Sequence, residues 1–330
     1  MRGFSDEWAD VPDFILGITK RIWEDRRIGS LHAHYAPDLV VRSPASVVVG
    51  TGGVIAATLA TLSEFPDRML LGEDVIWCPD PEGSDAEGDA FLSSHRLVCT
   101  ATHSGPGVYG PASGRRLTYR ILADCAIKAD MVRDEWLVRD QGAIVAQMGW
   151  DPKEWTRGLI AREGGPERCV RPLTKGTDRQ GPYRGRGDAH PAGGRLAELM
   201  RRIAAADLST MAAEYDPACE VHGPGGTTGH GRAAAEALWL GLHSAFPGAA
   251  FSADHALGRT DPGWCPRAAV RWSLVGRHDG WGAFGRPTGA PVHVLGITHA
   301  EFGPRGLRRE WTLIDQTAVW KQILLHTGDL

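Results

Sequence analysis

The stretch ATHSGPGVYGPASG, residues 101–114, returns as GRHDGWGAFGRPTG at residues 276–289. Each copy contains a literal G-x-G-x-x-G, at 105–110 and at 280–285. A dinucleotide loop places its glycines between a strand and a helix, so that the helix N-terminus meets the pyrophosphate. Both copies instead run from one alternating apolar segment into another, so the glycines mark a strand-to-strand crossing where positive φ costs least. No nucleotide cofactor is expected.

The offset between the copies, 175 positions (278 − 103), also carries Arg96 to Arg271, Gly114 to Gly289, Glu135 to Glu310, Trp136 to Trp311, Asp140 to Asp315 and Gln147 to Gln322. Upstream it widens, with Tyr35 and Pro37 mapping to Tyr215 and Pro217, and Phe65-Pro66 to Phe246-Pro247. The polar run PDPEGSDAEGD at 79–89 accounts for the extra residues of the first copy. The chain is therefore a duplication, searched for before any other feature. The organisation expected is a first domain over 1–156, a Gly/Arg-rich linker over 157–192 and a second domain over 193–330. From Arg157 to Arg195 there are nine Lys or Arg against four Asp or Glu, which reads as an exposed tether between two acidic domains.

Each copy has the same order of patterns. Ile15, Ile18 and Ile22, mirrored by Leu196, Leu199 and Ile203, have the spacing of one buried helical face. Short helices are expected at Gly29–Tyr35 and Leu208–Tyr215, with brief strands at Leu39–Arg42 and Cys219–His222. A third helix carries Val54, Thr58, Leu62 and Phe65 and stops at Phe-Pro. The period then changes to two. Long strands are predicted at Leu92–Thr102, Arg116–Ile127 and Val132–Asp140, mirrored at Arg267–Arg277, Pro291–Phe302 and Leu307–Asp315. Helices followed by an antiparallel meander define an α+β class.

The 330 residues carry a net charge of −4 and are 42% hydrophobic, an ordinary globular composition that argues against a nucleic-acid binder. The opening MRGFSDEWAD lacks the basic-then-apolar form of an export signal, and the apolar run Val47–Leu62 is too short to span a bilayer. A cytoplasmic protein is expected. Six dispersed cysteines and the isolated His32/His34 pair form no zinc-like pattern, so no metal is expected.

Four repeated positions attract chemical interest. His103 and His278 close a strand beside the glycine crossing, either as functional groups or as the groups that order the turn. Asp124 sits among Ile121, Leu122, Cys125 and Ile127, and its counterpart is His299. Alternation places Asp124 on the side of Arg120 and Thr118. On a concave face it would be a buried acid or base with a raised pKa; on an outer face it would be half of a solvated pair. Arg96 and Arg271 could hold a carboxylate, Tyr119, Trp136, His222 and Trp311 are candidate substrate contacts, and Asp140 and Asp315 read as helix N-caps. Glu135 reads as sheet packing and surface charge.

The combination of ATHSGPGVYGPASG, DEWLVRD, VAQMG and the Phe-Pro motif, EFPDR and AFPGA, resembles the SnoaL-like polyketide cyclases and ester cyclases of the nuclear transport factor 2-like superfamily. The resemblance implies two cone-shaped α+β barrels, each with a curved sheet wrapped on helices around an apolar cavity. It implies acid/base catalysis without metal or organic cofactor on a carbonyl-bearing cyclic or aromatic molecule, by aldol closure, isomerisation, dehydration or lyase chemistry. Asp124 and His103 are then the expected catalytic pair, with His278 and His299 their counterparts. The alternative is a non-catalytic ligand-binding or assembly protein of the same fold. Packing of the two domains as an internal pseudo-dimer, with scope for a further homodimer, is also implied; nucleic acid and membrane are not. Two departures stand out: KADM replaces the glycine-containing turn before the last strand of the first copy, and His299 replaces the aspartate in the second.

Overall fold

The computed structural model describes residues Met1 to Leu330 and contains two six-stranded sheets. The first unit runs α1 (Val11–Thr19), α2 (Leu31–His34), β1 (Tyr35–Ser43), β2 (Ser46–Val49), α3 (Thr51–Glu64), β3 (Met69–Pro79), β4 (Ala90–Thr102), β5 (Arg116–Lys128), β6 (Met131–Arg139), α4 (Gln141–Gln147) and α5 (Pro152–Arg162). The second runs α6 (Pro191–Ala204), α7 (Ser209–Glu214), β7 (Tyr215–Gly223), β8 (Thr227–His230), α8 (Arg232–Ala245), β9 (Ala250–Arg259), β10 (Arg267–Arg277), β11 (Pro291–Gly303), β12 (Gly306–Ile314) and α9 (Gln316–Thr327).

Strand orders are β2-β1-β6-β5-β4-β3 and β8-β7-β12-β11-β10-β9, the same permutation twice. The β1–β6 and β7–β12 pairs are parallel and the rest antiparallel, so each sheet is mixed rather than a pure meander. Registers repeat as well: Leu97 opposes Ile121, which opposes Arg139, just as Trp272 opposes Gly296, which opposes Ile314. The duplication is therefore structural down to the ladder, and each unit has the α+β cone architecture.

Helices α1 and α3 cover one face of the first sheet, and α6 and α8 the matching face of the second; their apolar stripes supply Phe14, Ile15 and Ile18, and Leu196, Leu199 and Ile203, to the two cores. The opposite faces of the two sheets meet. Leu122 and Val138 pack with Leu295, Ile297 and Leu313, and Ile76 and Leu92 with Leu257 and Ala269. Strand β3 escapes the alternation pattern because Gly72, Glu73 and Asp74 interrupt it at a bulge. Glu73 is there to bind Arg96 and Arg120, and Asp74 to bind Arg267 of the other unit.

Residues 157–192 are not a free tether. They begin within α5, which lies on α9, and then thread along the junction: Leu173 joins the apolar cluster there and donates its N–H to Pro44. Asp178 accepts from Arg42, and Gly187 bridges to Ala256 of β9. The charge that suggested a solvated linker is largely confined to side chains pointing outward.

The glycine crossings connect β4 to β5 and β10 to β11. In the first, the Glu64 carboxylate at the end of α3 accepts from the N–H groups of Val108 and Tyr109. An internal carboxylate occupies the position where a nucleotide loop would hold phosphate.

Candidate functional site

The concave face of the first sheet encloses a cavity of ≈ 300 Å³. Alternation puts His95 and Leu97 of β4, Ile121, Ala123 and Cys125 of β5, and Glu135, Leu137 and Arg139 of β6 on its wall. Ile15 and Ile18 of α1 and Val54 and Thr58 of α3 close the other side, and the β1–β2 turn forms part of the rim. Sixteen of the 28 lining residues are hydrophobic, so the few polar groups stand in a medium that penalises unpaired charge.

Glu135 responds to that medium. Burial pushes its carboxyl up to about 7, a hydrogen bond with Tyr35 partly opposes the shift, and the negative charge of Asp134 adds to it. His95 is pushed down to about 4 by burial, against the pull of Asp124. It is therefore neutral at physiological pH, and its Nδ1 has no hydrogen-bond partner. Arg68, just past the Phe-Pro turn, and Arg139 also line the cavity, and Asp315 of the second unit completes its wall.

The second unit keeps the fold and loses the space. A void of ≈ 20 Å³ lies between α6, α8, β9 and β10, lined by Trp239, Phe246 and Ala249. Trp272 stands where the first unit has Leu97, and Trp239 where it has Thr58. Both indoles are buried, their rings 5.8 Å apart. Trp272 donates to Thr298, and Trp239 donates to Glu310, which also accepts from Tyr215. The glutamate–tyrosine pair is thus retained but sealed, and His95, Arg139 and Arg68 become Val270, Ile314 and Ala249.

Most candidate residues named from the sequence fall outside this cavity. Asp124 lies on the opposite face of β5, at the junction of the units. It accepts from Ser94 at 2.5 Å and from His255 Nδ1 at 3.2 Å, with Arg271 3.9 Å away. Burial alone would raise its pKa, but these partners outweigh it and hold the carboxyl at about 2. Asp124 is a fixed anion, unsuited to proton exchange. His299 donates through Nε2 to Ser94 at 2.8 Å in the same network, and burial holds its pKa well below the usual range.

His103 and His278 are turn-ordering groups. Their Nδ1 atoms pair with Ser113 at 2.9 Å and Thr288 at 3.0 Å, and their backbones close the crossing. His103 and Asp124 therefore do not converge. Arg96 stacks on Trp311 and Arg271 on Trp136, each with its guanidinium carbon 3.5 Å from the ring centroid, and His222 stacks on Trp311. All five belong to the junction rather than to a substrate site. Tyr119 lies behind the cavity wall, in the buried cluster with Phe65, Leu70 and Leu97, and the charges of Arg68 and Arg139 both reach its phenol. Asp140 and Asp315 are N-caps of α4 and α9. Asp140 also accepts from Gly225 and Gly226 of the second unit.

The sequence reasoning missed His95, Arg68, Arg139 and Tyr35, and set Glu135 aside as packing. A signal was present: three of these positions are polar in one copy and apolar in the other.

Residues 196–310 match the family model described as the SnoaL-like domain. The match lies within the second unit, and the first unit repeats that unit's strand order. Among solved structures, IdmH from Streptomyces antibioticus is 21% identical, with 42% of this chain and 97% of that chain covered at a TM-score of 0.36. TsrD from Streptomyces laurentii is 19% identical over 42% and 94% of the two chains, at 0.34. A SnoaL-like polyketide cyclase from Agrobacterium tumefaciens is 19% identical over 42% and 97%, at 0.32. No curated protein matches the chain. No helix is long and apolar enough to cross a membrane.

Proposed function

We propose that the first unit is a cofactor-independent acid–base enzyme that moves a proton at a carbon next to a carbonyl in a cyclic or aromatic small molecule. Cyclase, isomerase, dehydratase and lyase reactions all begin with that step. The observation that carries the reading is Glu135, whose carboxyl titrates at about 7 on the wall of an apolar cavity. A base poised near ambient pH is ionised often enough to take the proton and is acidic enough to return it. Neutral His95, on the cavity wall, is suited to donate a hydrogen bond to the enolate oxygen as charge develops. Glu135 and His95 thus take the roles first given to Asp124 and His103.

The second unit acts as the structural partner in this reading. The reciprocal stacking of Arg96 on Trp311 and Arg271 on Trp136 supports an internal pseudo-dimer, because isologous interfaces repeat each contact with partners exchanged. Residues 1–156 and 193–330 are the proposed domains, with 157–192 as their connector.

The test is α-proton exchange. Wild type and Glu135→Gln are incubated in D2O with a panel of bicyclic and tricyclic ketones, and deuteration is followed by proton NMR. The variant should lose on the order of 10²- to 10⁴-fold in rate while keeping its circular dichroism spectrum. Equal rates in the two proteins, or a Glu135 carboxyl that titrates near 4.5 by infrared spectroscopy, would remove Glu135 as the base.

A further inference from the structure

Among the arginines that point into the protein, two lack what the others have. Arg42 meets Asp134 and Asp178, Arg96 meets Glu73, Arg267 meets Asp74, and Arg271 faces Asp124. Arg68, only 4% exposed, and Arg139 have Nε atoms buried without a hydrogen-bond acceptor, and neither takes part in an ion pair. The Tyr119 hydroxyl beside them is also buried and unpartnered. The other carboxylate on this part of the wall, Asp315, turns its Oδ1 into the cap of its own helix, accepting from Thr317 and Ala318.

Two guanidiniums without a salt-bridge partner in an apolar cavity are costly. Burial disfavours the charge on Arg139, and Tyr119, Tyr109 and Asp315 only offset that from a distance; packing does not require either group. The second unit shows this within the same chain, because where its space is filled the three positions become Ala249, Ile314 and Val294. The cationic groups accompany the open cavity and vanish with it.

We propose that Arg68 and Arg139, backed by Tyr119, form an anion subsite and that the molecule bound in the cavity carries a carboxylate. A carboxylate supplies the missing counter-charge, matches the planar fork of an arginine, and leaves the apolar body of the ligand to the remaining wall. Glu135 and Arg139 are four residues apart on β6, roughly 13 Å along the strand. The acidic group is therefore anchored at the end of the cavity away from the base, and the reacting carbonyl sits remote from it. This inference rests on the acid–base reading for the word substrate, but the anion subsite itself is tested by binding alone.

The probes are 2-naphthoate, 2-naphthalenemethanol and 2-naphthyl phosphate, titrated calorimetrically into wild type, Arg68→Met, Arg139→Met, Arg68→Lys and Glu135→Gln. Naphthoate should bind wild type at least tenfold more tightly than the alcohol. Each Met variant should lose about tenfold or more for naphthoate and stay within twofold for the alcohol, with Arg68→Lys in between. The free Arg68→Met variant should melt at or above the wild-type temperature, because an unpaired buried charge has been removed; a merely structural arginine predicts a lower melting temperature. Glu135→Gln should bind naphthoate as wild type does even where it no longer exchanges protons, so failure of the base and failure of the subsite give different results. Equal affinity for acid and alcohol, or Met variants that lose both ligands alike, would overturn the subsite. Tighter binding of the phosphate than of naphthoate, lost in the Met variants, would overturn the carboxylate assignment.

Discussion

Trp272 and Gly296 share one space: a Cβ built on Gly296 would lie 2.2 Å from Cζ2 of the Trp272 ring. In the first unit the same ladder position pairs Leu97 with Ile121, side by side on the wall of an open cavity. The second unit fills its cone by enlarging one residue and erasing its neighbour. Gly296→Ala should therefore overpack the core and cost about 1–3 kcal/mol. The pair Trp272→Leu with Gly296→Ile, which rebuilds the first unit's arrangement, should be less destabilising than the sum of its single changes. Urea unfolding of the four proteins measures the coupling, and simple additivity would show that the two side chains do not compete.

Stability should carry the imprint of Glu135. Its folded-state pKa, about 7, lies above the ordinary 4.5. The folded protein thus holds the proton more tightly, and the associated stability is fully present below pH 4.5 and is lost as pH rises through 7. Glu135→Gln removes the penalty. Thermal or urea unfolding should show little pH-dependent difference from wild type near pH 4, and a gap that widens in the variant's favour by about 3 kcal/mol by pH 8. A gap that stays constant across this window would mean that the carboxyl titrates normally.

Asp124 should behave as a structural anion. Asp124→Ala leaves Arg271, His255 and Ser94 facing an empty acceptor position at the buried junction, a change of the kind that costs roughly 3–5 kcal/mol. Proton-exchange activity per folded molecule should change far less than in Glu135→Gln. Urea unfolding combined with activity normalised to the folded fraction separates the two, and a selective loss of exchange with intact stability would return Asp124 to the chemistry.

The architecture was largely legible because a duplicated chain reports each element twice. The helical spacing of Ile15, Ile18 and Ile22 and the alternation of the long strands agree with the observed elements. Strand β3 was hidden because its polar residues face charges on distant strands, information that no local pattern contains. The site was harder for a physical reason. Alternation assigns Asp124 to one face and Glu135 to a face of its own strand, but it does not say which face is concave. Repetition also drew attention to the wrong class of residue: Arg96/Arg271, Trp136/Trp311 and His103/His278 recur because junctions and turns are needed in both units. Of the cavity's polar groups Glu135 and Tyr35 recur as Glu310 and Tyr215, but the groups that accompany the open space do not, as with His95 against Val270 and Arg139 against Ile314. Reading the differences between the copies, rather than their agreements, would have located the open cone.

The plug at Trp239 and Trp272 has a consequence for what kinds of change are open to this molecule. When a protein assembles from two identical chains, a mutation that fills one cavity fills both, because a single gene segment specifies each wall. A chain that writes the fold twice is released from that constraint. One half can become solid scaffold while the other keeps a hollow interior, and Asp315 shows the solid half still supplying a wall to the hollow one. Stoichiometry is then set by covalent linkage at one chamber for every two cones.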